Sequence, residues 1–100
     1  MIMDESRARE ILRRSRQKID GIDRDILDLI SSRISLAREI AEAKGVLGME
    51  ILDPERELQI IERTRKIARE NGIDESKLIE LMKILMDLSK TEQKEMLRRQ

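Results

Sequence analysis

Residues 16–33 read RQKIDGIDRDILDLISSR, and the spacing within them decides the fold. Arg16, Ile19, Asp23, Ile26, Ile30 and Arg33 recur at alternating steps of three and four residues. Leu12 extends the stripe backward, and Ala37, Ile40 and Lys44 extend it forward. That is the periodicity of a helix with a coiled-coil-like seam. The pattern predicts one helix from about Ser6 to Lys44. At 1.5 Å per residue it would run roughly 55–60 Å, far longer than a compact domain of this size is wide. Such a helix cannot bury its whole seam within its own chain, so a partner helix is expected.

Working outward, glycine and proline punctuate the rest. Gly45 and Gly48 precede Asp53-Pro54, and Gly72 follows Asn71. Asp53 suits an N-cap, Pro54 the first helical position, and Glu55 the positive end of the helix dipole. Ile60, Ile61 and Ile67 supply an apolar face before Asn71-Gly72 stops the helix. Asp74 then caps a third helix carrying Leu78, Leu81, Met82, Leu85, Leu88 and Met96. The expected architecture is all-α, with one long, one short and one medium helix in a single domain over residues 1–100. Gly21, alone inside the first helix, costs it roughly 1 kcal/mol relative to Ala.

Composition narrows the chemistry. Of 100 residues, 42% are charged, and 21 Lys+Arg balance 21 Asp+Glu. A net charge of zero provides no whole-molecule field for nucleic acid or an anionic membrane, so neither is an expected partner. With no Cys and no His, disulfides, thiol chemistry and Ser-His-Asp triads are excluded, and no metal site or cofactor is expected, although carboxylates can hold Mg²⁺. The first ten residues include Asp4, Glu5, Arg7, Arg9 and Glu10, which suits neither a signal peptide nor a membrane span; a cytoplasmic location is expected. The absence of Phe, Tyr and Trp removes the side chains that usually supply much of a small core. This too favours an oligomer.

The informative residues are cations on the apolar seam. Arg16, Arg33 and Lys44 share a stripe with Ile19, Ile26, Ile30 and Ile40, and buried charge is costly unless paired. Each alone also fits a snorkelling side chain or a structural ion pair such as Arg16 with Asp23. Three on one stripe favour an anion pocket. Arg33 and Lys44 lie three turns apart, roughly 16–17 Å between backbones, so long side chains leaning together suit the two ends of one small dianion. Arg16, about 25 Å from Arg33 along the helix, is placed to complete a site in an antiparallel partner. Ser89 and Gln93, four residues apart, present neutral polar groups on one face of the third helix; helix-end polarity accounts for them equally well.

The pattern R-x-x-I-D-x-I-D-x-x-I-L-x-L-I-x-x-R from Arg16 to Arg33 resembles the first helix of the all-helical chorismate mutases. Lys44, the D-P-E-R-E run from Asp53 to Glu57, and Ser89 with Gln93 stand at the family's remaining positions. The resemblance covers roughly residues 12–97 without insertion or deletion, although members usually carry some aromatic residues. It implies an intertwined homodimer whose long helices cross between chains, rearranging chorismate to prephenate. Arg33 and the other protomer's Arg16 would bind the two carboxylates. Lys44 would contact a carboxylate and the ether oxygen, and Gln93 would donate to that oxygen. Arg56 and Glu57 would position the ring hydroxyl, with Asp53 nearby and Ser89 assisting at a carboxylate. The implied catalytic set is Lys44, Gln93 and Arg33. Two other readings remain: an isochorismate–pyruvate lyase of the same fold, and a non-catalytic helical dimerisation module whose seam charges only set register.

Overall fold

The structure is a computed structural model, described over residues 3–99. It consists of α1 (Glu5–Leu47), α2 (Pro54–Asn71) and α3 (Glu75–Arg98), with no strand among the described residues. The all-α expectation and the three unequal helices hold.

Local chemistry explains where each helix begins and ends. The Asp53 side chain accepts from the Arg56 N–H at 3.1 Å, with Pro54 opening α2. At the other end Gly72 takes φ 65°, and the Ile73 N–H returns to the Ala68 carbonyl at 2.9 Å. That is a glycine-dependent C-terminal stop. Asp74 repeats the N-cap for α3, accepting from the Lys77 N–H at 2.9 Å. Gly45 does not interrupt α1, which runs on to Leu47; Gly48, with φ 66°, lies just beyond its end.

The chain divides into two compact units, one ending at Ser32 and the other starting at Arg33. In the first, α1 has no buried residue: Leu12, Ile19, Ile22, Ile26, Leu27 and Leu29 all stand exposed, Leu29 at 69%. The seam there has no counterpart within the unit.

The second unit holds the core. Ala37 and Ala41 of α1, Thr64 and Ala68 of α2, and Met86 and Gln93 of α3 are buried. No large side chain among the described residues is completely enclosed. Small residues therefore make the inner line of α1 and α2, while Met86 and Gln93 fill that of α3, which packs against α2. The Thr64 hydroxyl donates to the Ile60 carbonyl at 2.7 Å, so its burial leaves no polar group unsatisfied. This differs from the predicted apolar faces. Ile67, Leu81 and Leu88 are exposed, because Thr64, Ala68 and Met86 occupy the inward positions instead. Glu75 ties the two helices where they meet, bonded to Arg65 Nε at 2.7 Å and Arg69 Nε at 3.0 Å. Among the described residues, no helix is long and apolar enough to cross a membrane.

Candidate active site

A cavity of about 300 Å³ opens within the second unit, between the C-terminal part of α1, the start of α2 and the middle of α3. Its size is at the lower end of the range for small-molecule sites. Arg33, Lys44, Asp53, Arg56, Glu57, Ser89 and Gln93 all line it. These residues come from three helices and a cap, so the fold converges the scattered sequence positions on one space. Leu36, Ala37, Ile40, Ile51, Ile60 and Met86 supply an apolar wall.

The polar groups are held by specific bonds. Arg33 sits on the first inward turn of the second unit and is half-buried. Its Nη1 donates to the Leu85 carbonyl at 3.0 Å and makes a short hydrogen bond to Ser89 Oγ. A guanidinium anchored on one nitrogen keeps its remaining N–H groups available as donors. Ser89 thus stands beside Arg33, orienting it.

Lys44, in the last turn of α1, reaches across the cavity's base. Its Nζ donates to the Ile51 carbonyl at 2.6 Å and to Gln93 Oε1 at 2.9 Å. An ammonium has three protons, so one donor position remains free. The bond also orients Gln93, whose residue is only 6% exposed: with its oxygen taken by Lys44, the amide NH₂ is its remaining face, and that is a donor. Lys44 and Gln93 are therefore two adjacent donors in a partly apolar cleft.

The start of α2 supplies the opposite wall. Asp53 is committed to the helix cap, with its Oδ1 on the Arg56 N–H. Arg56 is exposed, its guanidinium 3.4 Å from Gln59 Oε1. Glu57 is half-buried and pairs with Lys90 Nζ at 2.9 Å. Lys90 lines the same cavity and also approaches Asp87 Oδ1 at 3.4 Å. The Glu57 carboxylate pushes the Lys90 ammonium above the ordinary lysine value, against partial desolvation, and Asp87 adds to the upward push. Lys90 is the site residue that the sequence reasoning passed over. The signal was present: Lys90 follows Met86 by four residues and precedes Gln93 by three, a cation on the inward line of α3.

The cavity is lined by four cations, Arg33, Lys44, Arg56 and Lys90, against two carboxylates, Asp53 and Glu57. A protein with no net charge has built a locally positive pocket by placement alone. Such a lining suits a small anion with an apolar body. Arg16 is not among the lining residues; it stands exposed on the first unit. The ion pairs described on that unit join Arg9 to Glu5 and Arg13 to Glu10, each at 2.7 Å, so Arg16 does not pair with Asp23.

Comparison with known proteins identifies the family. The family model described as chorismate mutase type II matches residues 15–94. The chorismate mutase of Methanocaldococcus jannaschii is 47% identical over 88 residues, covering 88% of this chain and 89% of that protein. A 4-amino-4-deoxychorismate mutase of Streptomyces venezuelae is 32% identical over 75 residues, covering 75% of this chain and 73% of that protein. Among solved structures, the NMR structure of a monomeric chorismate mutase from Methanococcus jannaschii superposes with a TM-score of 0.67 at 41% identity, over 90% of this chain and 94% of that one. The all-helical frame, the cationic cavity and these matches together place the chain in the chorismate mutase type II family.

Proposed function

We propose that this protein is a chorismate mutase that rearranges chorismate to prephenate in the cavity between α1, α2 and α3. The observation carrying the mechanism is the pair of adjacent donors, Lys44 Nζ and the Gln93 amide, joined at 2.9 Å on the cavity base. The reaction is pericyclic: a carbon–oxygen bond breaks while a carbon–carbon bond forms, and no covalent enzyme intermediate is needed. The ether oxygen gains negative charge as its bond to the ring lengthens. Two donors fixed in advance at that oxygen stabilise the transition state more than the ground state.

The rest of the lining would bind and shape the substrate. Arg33, steadied by Leu85 and Ser89, takes one carboxylate, and Lys44 reaches both a carboxylate and the ether oxygen. Arg56 and Glu57, with Asp53 behind them as a cap, hold the ring hydroxyl. The apolar wall leaves the substrate body little room outside a compact, chair-like conformer. Positioning of this kind lowers the barrier by removing conformational freedom before reaction.

Arg16 would act in the site of a second chain. In this reading residues 1–100 form one mutase domain of a cytoplasmic homodimer, its long helices crossing between protomers. The exposed seam of Leu12, Ile19 and Ile26 on the same stripe as Arg16 supports it, since an unpartnered apolar stripe of that length favours burial. The solved relative is monomeric, and sedimentation of this chain distinguishes the two states.

The Streptomyces venezuelae relative, by its name, acts on a substrate with an amine at the ring position where chorismate has a hydroxyl. The group facing that position therefore governs which substrate is used, and we assign the hydroxyl substrate to this chain. Incubation with chorismate, followed by proton NMR, is expected to give prephenate as the sole product. Incubation with isochorismate tests the lyase reading: salicylate and pyruvate from isochorismate, without prephenate from chorismate, would replace the mutase assignment.

A further inference from the structure

We propose that Lys90 is a positioning residue that sets substrate selectivity, neutralising Glu57 so that the cavity accepts a ring hydroxyl and disfavours a ring ammonium. This rests on the reading in which Glu57 faces the ring substituent.

The geometry is specific. Lys90 Nζ is 2.9 Å from Glu57 Oε2, and both side chains are about one-quarter exposed, at 25% and 27%. Both line the cavity. The pair joins the first turn of α2 to the middle of α3. One carboxylate oxygen is occupied by the ammonium, and the other remains an acceptor for a hydrogen bond.

The charge consequence follows from elementary electrostatics. An unpaired Glu57 would attract any cation placed against it, and an amine at the ring position is protonated at neutral pH. In a partly desolvated cleft the attraction between a carboxylate and an ammonium far exceeds a bond to a neutral hydroxyl. A second ammonium already held on Glu57 cancels that advantage and adds a like charge. A neutral hydroxyl still donates to the free oxygen. Arg33, Lys44 and Arg56 line the same cavity, so removal of Lys90 leaves it cationic enough to bind the substrate's carboxylates.

A purely structural role for the α2–α3 pair makes a different prediction. It would alter the fold, and hence both substrates, equally. The discriminating quantity is therefore a ratio. For wild type, Lys90→Met and Lys90→Arg, we would measure KM and kcat for chorismate and the competitive Ki of 4-amino-4-deoxychorismate. Lys90→Met matches the length of the stem without its charge, and Lys90→Arg keeps the charge. The ratio of Ki to KM is expected to fall about tenfold in Lys90→Met and to stay within about twofold of wild type in Lys90→Arg. In Lys90→Met combined with Glu57→Gln the fall should disappear. An unchanged ratio in a folded Lys90→Met, or an equal fall in both single variants, would overturn the proposal. Absence of chorismate turnover by folded wild type would instead overturn the underlying site assignment, and the selectivity proposal with it.

Discussion

In the proposed mechanism Lys44 serves both stability and chemistry. It satisfies the Ile51 carbonyl and Gln93 Oε1, so truncation leaves two acceptors without their donor. Because Lys44 is only half-buried, water can replace part of that loss, and the stability cost should be about 1 kcal/mol. In the proposed mechanism the catalytic cost is larger, since no mobile water would reproduce a fixed cation at the ether oxygen. Lys44→Ala is expected to lower kcat by about 10²–10³ with a smaller change in KM. Steady-state kinetics beside a urea unfolding curve separate the two effects. At this scale Arg33 and Lys44 were legible because charge on an inward stripe demands an explanation, whereas Gln93 read equally well as helix-end polarity and was singled out by the family resemblance. Lys90 and the Leu85 and Ile51 carbonyls were not, because a backbone acceptor carries no residue identity and one lysine among 21 basic residues stands out only once its partner is known.

Between elements, stability is set at the turns. Asp74 caps α3 through the Lys77 N–H and lies outside the cavity lining. Asp74→Ala should cost about 1 kcal/mol in chemical denaturation while leaving kcat unchanged, a useful contrast to the site variants. Glu75, next in the chain, introduces a pH dependence. Arg69 holds its carboxyl below the usual carboxylate range against partial desolvation, and Arg65 adds to the effect. A carboxyl whose folded-state pKa is depressed contributes stability that is fully present above its unfolded pKa, near 4.5. That contribution is lost as pH falls through the folded value. Thermal melts of wild type and Glu75→Gln should therefore differ at pH 7 and converge under acid conditions; a difference independent of pH would contradict the assignment. Helix boundaries were legible because Asp53-Pro54, Asn71-Gly72 and Asp74 act locally. The buried faces were less so. Ile67, Leu81 and Leu88 read as core by hydropathy, yet Thr64 and Ala68 are buried, because close helix approach selects small side chains over large ones.

At the scale of the whole molecule, the unresolved economy is the apolar surface. The unit ending at Ser32 leaves Leu12, Ile19, Ile22, Ile26, Leu27 and Leu29 exposed, a surface that association would cover. Sedimentation should give twice the chain mass, and Ile19→Asp with Ile26→Asp should halve it. For the shared site, folded but inactive Arg16→Ala and Lys44→Ala chains should regain partial activity on mixing, provided subunits exchange; no recovery despite demonstrated exchange would confine the site to one chain. The expectation of a partner came from helix length and from the absence of aromatic residues, because a seam that cannot close on itself is visible without coordinates. Which residues would meet in such a pairing was not legible, since periodicity fixes a face and not a docking register. The central claim, catalysis in a cationic cavity based on Lys44, is tested most directly by following chorismate disappearance with wild type and Lys44→Ala under identical conditions. The account predicts that wild type consumes chorismate with equimolar prephenate and that the variant, still folded by circular dichroism, is slower by at least about 10². No turnover by folded wild type, or equal turnover by the two proteins, would contradict it.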